Sequence, residues 1–242
     1  MQLLHSATRN YSWGSRTLIP HLQGQPDADK PVAELWFGAH PGDPSTVDGR
    51  LLNEVIAEDP AGQLGGRVSA EYGERLPFLL KVLAAEEPLS LQAHPSKAQA
   101  EEGFARENAA GIELTASNRN YKDDNHKPEL IVALTDFYAM AGFRPLARTR
   151  ELFAALECPE LDHYVAMLDD DPSATTESAN LRVLFTTWIT IPSAKRKELI
   201  SAIVAAGERL IAADPADWKS RVMSTVLELN QRYPCLLYTS DA

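Results

Sequence analysis

Residues 88–95 read PLSLQAHP, and this stretch decides how the first part of the chain is interpreted. Its alternation of apolar and polar residues predicts a strand, in which successive side chains point to opposite faces. Ser90, Gln92 and His94 then share one face. Gln92 and His94 would lie about 6–7 Å apart on a rigid element, a spacing that two ligands of one metal ion can have. A solvated polar strand face is the alternative interpretation.

A second polar stretch, NYKDDNHKPEL at residues 120–130, runs directly into a short apolar segment. Glu129 stands at the first position of the predicted strand, where a carboxylate can reach a neighbouring strand. Together with Gln92 and His94 it would form a set of nitrogen and oxygen ligands that suits Zn²⁺. A solvated turn remains the alternative for this stretch.

Outward from these stretches, short apolar runs separated by Gly and Pro indicate a β-rich region that extends to about residue 145. The predicted strands are residues 32–38, 78–84, 89–94, 129–134 and 137–143. Two helices are predicted among them, at residues 51–58 and 97–108. Ser96 and Gln99 have the spacing of a capping box at the start of the second helix.

After Pro145 the apolar period changes to three or four residues, which is typical of amphipathic helices. The predicted helices are residues 149–157, 161–168, 178–189, 195–213 and 215–233. We therefore expect a β-rich domain at residues 1–145 and a helical domain at residues 146–234. Residues 235–242 follow without a closing element.

Composition narrows the function classes. Among 242 residues, 23 are Lys or Arg and 34 are Asp or Glu, so the net charge of −11 argues against a nucleic-acid partner. No export signal or membrane span is evident, which favours a cytoplasmic location and no membrane partner. Cys158 and Cys235 are too few for a thiolate metal cluster. Residues 119–150 carry six basic and four acidic side chains, which could accept a small anion such as a sugar phosphate; an accidental excess of basic residues is the alternative.

Several sequence blocks resemble the signature blocks of type I mannose-6-phosphate isomerases. The resemblance extends over residues 1–234. The blocks are YSWG at 11–14, AELWFGAHP at 33–41, LPFLLKVLAAEEPLSLQAHPSK at 76–97, NYKDDNHKPELIVAL at 120–134 and GFR at 142–144.

The resemblance implies a zinc-dependent aldose–ketose isomerase of carbohydrate metabolism, which interconverts mannose 6-phosphate and fructose 6-phosphate for GDP-mannose supply. It implies that Gln92, His94 and Glu129 hold one Zn²⁺ per chain and that Lys127 and Ser90 line the catalytic pocket. The implied fold is mainly β with a helical insertion, α+β overall: half of a cupin-type jelly-roll barrel plus an all-helical domain.

The chain departs from the family after the helical region. The family's fourth zinc ligand, a His, and an Arg near the reacting carbons belong to a later block that this sequence does not contain. We therefore expect an incomplete form with little isomerase activity and an unrelated tail at residues 235–242. Two alternatives stay open. One is a non-catalytic cupin-like protein with a sugar-phosphate-binding or regulatory role, and the other is an inactive structural fragment. The oligomeric state is not indicated.

Overall fold

The computed structural model describes residues 2–168 and 174–234 and has two compact units, Met1–Leu91 and Gln92–Ala242. It is a mixed α+β structure, 46% helical and 9% strand. The strands are β1 (Leu4–His5), β2 (Ala7–Arg9), β3 (Glu34–Phe37), β4 (Thr46–Val47), β5 (Arg50–Leu51) and β6 (Leu80–Leu83). The α-helices are α1 (Leu18–Leu22), α2 (Leu52–Glu58), α3 (Pro60–Leu64), α4 (Gly66–Tyr72), α5 (Lys97–Ala109), α6 (Leu146–Leu156), α7 (Asp162–Val165), α8 (Ala174–Thr190), α9 (Ser193–Ala213) and α10 (Trp218–Arg232).

The first unit is built on two three-stranded antiparallel sheets. One has the order β1-β4-β5 and the other β2-β3-β6. Ile19, Leu35 and Ala84 form its buried cluster. Gly14 lies so close to the backbone of Ala33 that a Cβ would stand 2.6 Å from the Ala33 nitrogen. Glycine is therefore required where the YSWG block crosses the edge of the sheet.

The second unit begins with the segment that leads into α5. The predicted capping box is confirmed: Ser96 Oγ accepts a hydrogen bond from Gln99 N (3.3 Å), and Gln99 Oε1 accepts one from Ser96 N (2.9 Å). These two bonds satisfy backbone N–H groups that the first turn of a helix leaves without partners. The beginning of α5 is thereby fixed two residues after His94.

The helices after Pro145 form a packed core of their own. A 3-10 helix at Pro159–Leu161 precedes α7, so the helix predicted at 161–168 is shorter than expected. Gly207 of α9 allows close packing against α10, because a Cβ there would lie 2.6 Å from Met223 Cε. The main buried cluster consists of Leu152, Leu156, Cys158, Leu161, Leu199, Ala206 and Met223.

Two predicted strands are confirmed, residues 32–38 by β3 and residues 78–84 by β6. Three others are wrong for this structure: residues 89–94, 129–134 and 137–143 form no strand. A strand needs a hydrogen-bonded neighbour, and within the described residues these three segments pair with no other strand. The expectation of a mainly β fold is therefore not confirmed.

Two other expectations concern the limits of the domains. The predicted boundary near residue 145 stays a prediction, since the two compact units meet at Leu91 and Gln92. The tail at residues 235–242 lies outside the described residues. Across residues 2–168 and 174–234, no helix has the length and apolar character needed to span a bilayer.

Candidate functional site

Gln92 and His94 form the first part of the candidate site. Their side chains meet in the structure, with Gln92 Oε1 and His94 Nε2 3.2 Å apart, and both residues are exposed. An amide oxygen and an imidazole nitrogen at this separation can both bind one cation once the imidazole proton lies on Nδ1. The two side chains therefore lie together, as a shared face would place them, although the strand predicted for residues 89–94 is absent and the backbone there is irregular.

Glu129 and Lys127 form the second part. The Glu129 carboxylate forms an ion pair with Lys127 Nζ at 3.2 Å. The Glu129 side chain is 46% exposed and that of Lys127 is 52% exposed. In the described part of the chain, no group of three or more His, Cys, Asp or Glu side chains converges in a way that could hold a metal. The three-ligand arrangement thus stays a prediction. Ser90, an exposed residue of the first unit, is likewise untested as a pocket residue.

The residues that follow Glu129 are unusual for a folded domain because their apolar side chains are exposed. We call residues 130–143 the apolar segment. The exposed fraction is 90% for Leu130, 74% for Val132 and 96% for Tyr138. Contiguous apolar exposure of this kind marks a surface that is normally covered.

A buried ion pair fixes the loop that precedes Lys127. Glu107, in the last turn of α5, lies 3.1 Å from Arg119 Nε, and the two side chains are 8% and 0% exposed. The Glu107 carboxylate also accepts hydrogen bonds from the backbone nitrogens of Asn120 (3.2 Å) and Tyr121 (2.9 Å). Arg119 in turn donates to the carbonyl oxygens of Tyr121 (2.6 Å) and Ile112 (2.7 Å).

Arg119 makes one more bond, to Asn108 Oδ1 at 2.8 Å, so all three of its side-chain nitrogens take part in the network. The hydrogen bonds from Tyr121 and Asn120 lower the pKa of Glu107, against the opposing effect of burial. This pair was not predicted from the sequence. Glu107 and Arg119 are twelve residues apart and look like ordinary surface charges, and only the depth of their burial distinguishes them.

Lys97 makes a second connection between α5 and the same loop. Its ammonium group donates to the carbonyl oxygen of Asp124 at 2.8 Å and to Asn125 Oδ1 at 3.4 Å. It also lies 3.8 Å from the Asp124 carboxylate and 3.2 Å from that of Glu101. The first residue of α5 thus holds the chain a few residues before Lys127.

The first unit has its own polar cluster, on the sheet β2-β3-β6. The buried Glu34 accepts a hydrogen bond from Trp36 Nε1 at 2.7 Å and pairs with Lys81 Nζ at 3.3 Å. The Lys81 ammonium also lies 4.6 Å from the Trp36 ring centroid, within cation–π range. This cluster was not predicted from the sequence either. The signal that could have indicated it is Lys81, a charged residue inside the apolar run FLLKVLA.

Cys158 lies in the helical part and is the cysteine among residues 2–168 and 174–234. It is buried, and its Sγ donates a hydrogen bond to Glu160 Oε2 at 3.3 Å. Burial, together with the neighbouring Glu160, raises the pKa of the thiol. The protonated thiol therefore serves packing.

Comparison with known proteins shows what this chain is similar to. The family model described as phosphomannose isomerase type I, catalytic domain, matches residues 1–146. The mannose-6-phosphate isomerase of Escherichia coli (strain K12) is 46% identical over 177 residues, which are 70% of this chain and 45% of that protein. The mannose-6-phosphate isomerase of Emericella nidulans is 34% identical over 233 residues, 86% of this chain and 48% of that protein. The chain spans about half the length of these curated relatives.

Among solved structures, one is a mannose 6-phosphate isomerase from Salmonella typhimurium bound to fructose 6-phosphate and zinc. It is 35% identical, with a TM-score of 0.80, and the match covers 97% of this chain and 57% of that one. The apo form from the same organism matches equally well, at a TM-score of 0.80. Since the family model matches more than half of the residues, the chain belongs to the type I phosphomannose isomerase family.

Proposed function

We propose that this chain provides the catalytic-domain part of a zinc-dependent isomerase that interconverts mannose 6-phosphate and fructose 6-phosphate. The observation that carries the proposal is the contact between Gln92 Oε1 and His94 Nε2 in a chain of this family. It is supported by the relative from Salmonella typhimurium, which has been crystallised with fructose 6-phosphate and zinc.

The donor set on this chain fits zinc. Gln92, His94 and Glu129 offer an amide oxygen, an imidazole nitrogen and a carboxylate oxygen, and the last two are common zinc ligands. Gln92 and His94 already face each other, while Glu129 is paired with Lys127. We propose these three residues as ligands of one zinc ion. Bound zinc supplies Lewis-acid stabilisation of negative charge on the substrate oxygens.

Lys127 and Ser90 are the proposed substrate-contacting residues. The Lys127 ammonium, 3.2 Å from Glu129, can donate hydrogen bonds to the sugar oxygens whose charge increases as a proton moves between C1 and C2. The Ser90 hydroxyl can donate or accept a hydrogen bond at a neighbouring sugar hydroxyl. A small sugar phosphate is thus the proposed partner.

We also propose the finer architecture. Residues 1–145 would form half of a cupin-type jelly-roll barrel, followed by a helical domain at 146–234. The match of the catalytic-domain family over residues 1–146 and the apolar exposure after Glu129 support this division. A cytoplasmic location belongs to the same proposal, because the proposed substrates are metabolites of central carbohydrate metabolism.

A coupled assay tests the function on the 242-residue chain. With zinc, we expect slow conversion of mannose 6-phosphate to fructose 6-phosphate, which the His94→Ala variant loses. His163→Ala, which changes an exposed histidine elsewhere, serves as the matched control. Sugar-phosphate binding without any conversion by the zinc-loaded chain would contradict the proposal and favour a binding role.

A further inference from the structure

Helix α5 stands between the two chain segments that carry the candidate ligands. Its N-terminal cap, Ser96, lies two residues after His94. Its first residue, Lys97, holds the carbonyl oxygen of Asp124, five residues before Glu129. One helix therefore contacts the polypeptide close to both candidate ligand segments.

The buried face of α5 holds the same loop at its other end. Ala100, Gly103 and Glu107 are the buried residues of the helix and lie along one face, three and four positions apart. The Tyr121 ring packs directly on Gly103, where a Cβ would stand 2.5 Å from the ring. The helix surface is thus shaped to receive the loop.

The loop at residues 110–128 contains no helix or strand and is longer than the roughly 12–15 residues beyond which such loops are uncommon unless functional. Its conformation must be fixed by specific contacts. The Glu107–Arg119 ion pair supplies them, since each charge is buried and also bonded to loop backbone groups. Burying two charges is costly, so pairs of this kind are better suited to specifying one geometry than to adding stability.

We propose that Glu107, Arg119 and Lys97 are positioning residues for the metal site. They hold residues 119–125 on α5, and this fixes the point from which the chain extends to Lys127 and Glu129. The Glu129 carboxylate is thereby presented to Gln92 and His94, which the beginning of α5 anchors on the other side. The identity of the metal rests on the proposed function, whereas the positioning of the loop does not.

Hydrogen exchange of the metal-free, 242-residue chain tests the positioning directly. Glu107→Gln replaces an acceptor oxygen by an NH₂ group that faces other donors. We expect amide exchange over residues 112–130 to become roughly tenfold faster in this variant. Glu102→Gln, on an exposed part of α5, is the matched control and should leave exchange there unchanged. Unchanged protection of residues 119–130 in Glu107→Gln would overturn the proposal.

Lys97→Met covers the case in which Glu107→Gln fails to fold. The Lys97 side chain is 42% exposed, so its removal leaves the buried face of α5 intact. We expect faster exchange confined to residues 122–130. Exchange equal to that of the wild-type chain would exclude Lys97 as a positioning residue.

Zinc affinity, measured by calorimetric titration, distinguishes a positioning role from a purely structural one, because loss of stability alone would leave the affinity unchanged. Lys97→Met and Glu107→Gln should bind zinc about tenfold more weakly than wild type. Leu152→Ala, in the helical core, should lower thermal stability and leave zinc affinity unchanged. Equal affinity in all variants would overturn the inference. Absence of zinc binding in the wild-type chain would instead contradict the proposed function, while the exchange data still decide the positioning.

Discussion

The loop docked on α5 and the apolar segment at residues 130–143 are neighbours in sequence. The buried polar groups of the loop have hydrogen-bond partners, whereas the apolar side chains of the segment are exposed to solvent. In the loop, Arg119 is buried and hydrogen-bonded through all three of its side-chain nitrogens. In the apolar segment, Leu130 and Tyr138 are 90% and 96% exposed. The partners of Arg119 come from α5, through Glu107 and Asn108, and from carbonyl groups of the loop itself. The strands predicted in the apolar segment need a sheet neighbour, which no described residue provides.

The difference shows which parts of the site this chain can organise alone. Contacts to α5 are local, so they form as soon as the helix and the loop are present. Strand pairing and burial of an apolar face need a second surface. We therefore expect the positions of residues 119–125 to be specified within the second unit, and those of residues 130–143 to depend on further contacts.

The largest effect is expected from Arg119→Met, which removes the buried charge and leaves the Glu107 carboxylate without its partner. Breaking one side of a buried ion pair typically costs about 3–5 kcal/mol. Urea unfolding followed by far-UV circular dichroism measures the loss. Arg106→Met, on the exposed surface of α5, is the control, and an equal effect of both substitutions would show that the burial of Arg119 has no consequence.

Gly103→Ala is expected to have the next largest effect and to reverse the usual trend. Alanine stabilises a helix interior relative to glycine by about 1 kcal/mol. Here the new Cβ would meet the Tyr121 ring at 2.5 Å, so we expect a net destabilisation of about 1–3 kcal/mol.

Gly207→Ala provides the matched comparison for Gly103→Ala. Its nearest contact, at 2.6 Å, is the terminal methyl of Met223, which can move aside more easily than an aromatic ring. We therefore expect a smaller loss of thermal stability than for Gly103→Ala. A stabilising effect of Gly103→Ala would mean that the loop does not dock on this face of α5.

Ser96→Ala removes the side-chain half of the capping box. The expected cost is about 1 kcal/mol, because the Gln99 backbone nitrogen loses its acceptor. Ser96→Asp, which keeps an acceptor at the helix cap, should retain most of the stability in the same melting experiment. If Ser96→Ala and Ser96→Asp had the same melting temperature, the cap would not be holding the beginning of α5.

The smallest effect on stability is expected in the apolar segment. Leu130→Ser, Val132→Thr and Tyr138→Ser change exposed side chains, so each should alter the free energy of unfolding by no more than about 0.5 kcal/mol. Light scattering should show less self-association of the triple variant, because the exposed apolar area falls. A loss of several degrees in melting temperature would indicate that these side chains are packed.

Local signals in the sequence predicted α2, α5 and the helices after Pro145, but not the short helices α1, α3 and α4. Ser96 and Gln99 indicated the start of α5, and the three-to-four-residue apolar period indicated the helices after Pro145. Both signals depend on residues within one or two turns of each other. Strands 32–38 and 78–84 were also predicted. In the structure they form β3 and β6, which pair with each other.

What the sequence could not indicate depends on partners distant along the chain. The alternation at residues 129–143 is a sound strand pattern, but a strand forms only beside another strand. The Glu107–Arg119 pair lacks a sequence signature because burial depends on how the loop folds back. For the candidate site, the spacing of Gln92 and His94 predicted a shared strand face. The structure has no strand there but brings the two side chains together, and the approach of Glu129 stays a prediction.

The central claim is that Gln92, His94 and Glu129 form a zinc site on this chain. Calorimetric titration of the metal-free wild-type chain with zinc, alongside His94→Ala and Glu129→Gln, tests it most directly. We predict one zinc ion bound per wild-type chain, and affinities at least about tenfold weaker in both variants. No binding by the wild-type chain, or the same affinity in all three proteins, would contradict the account.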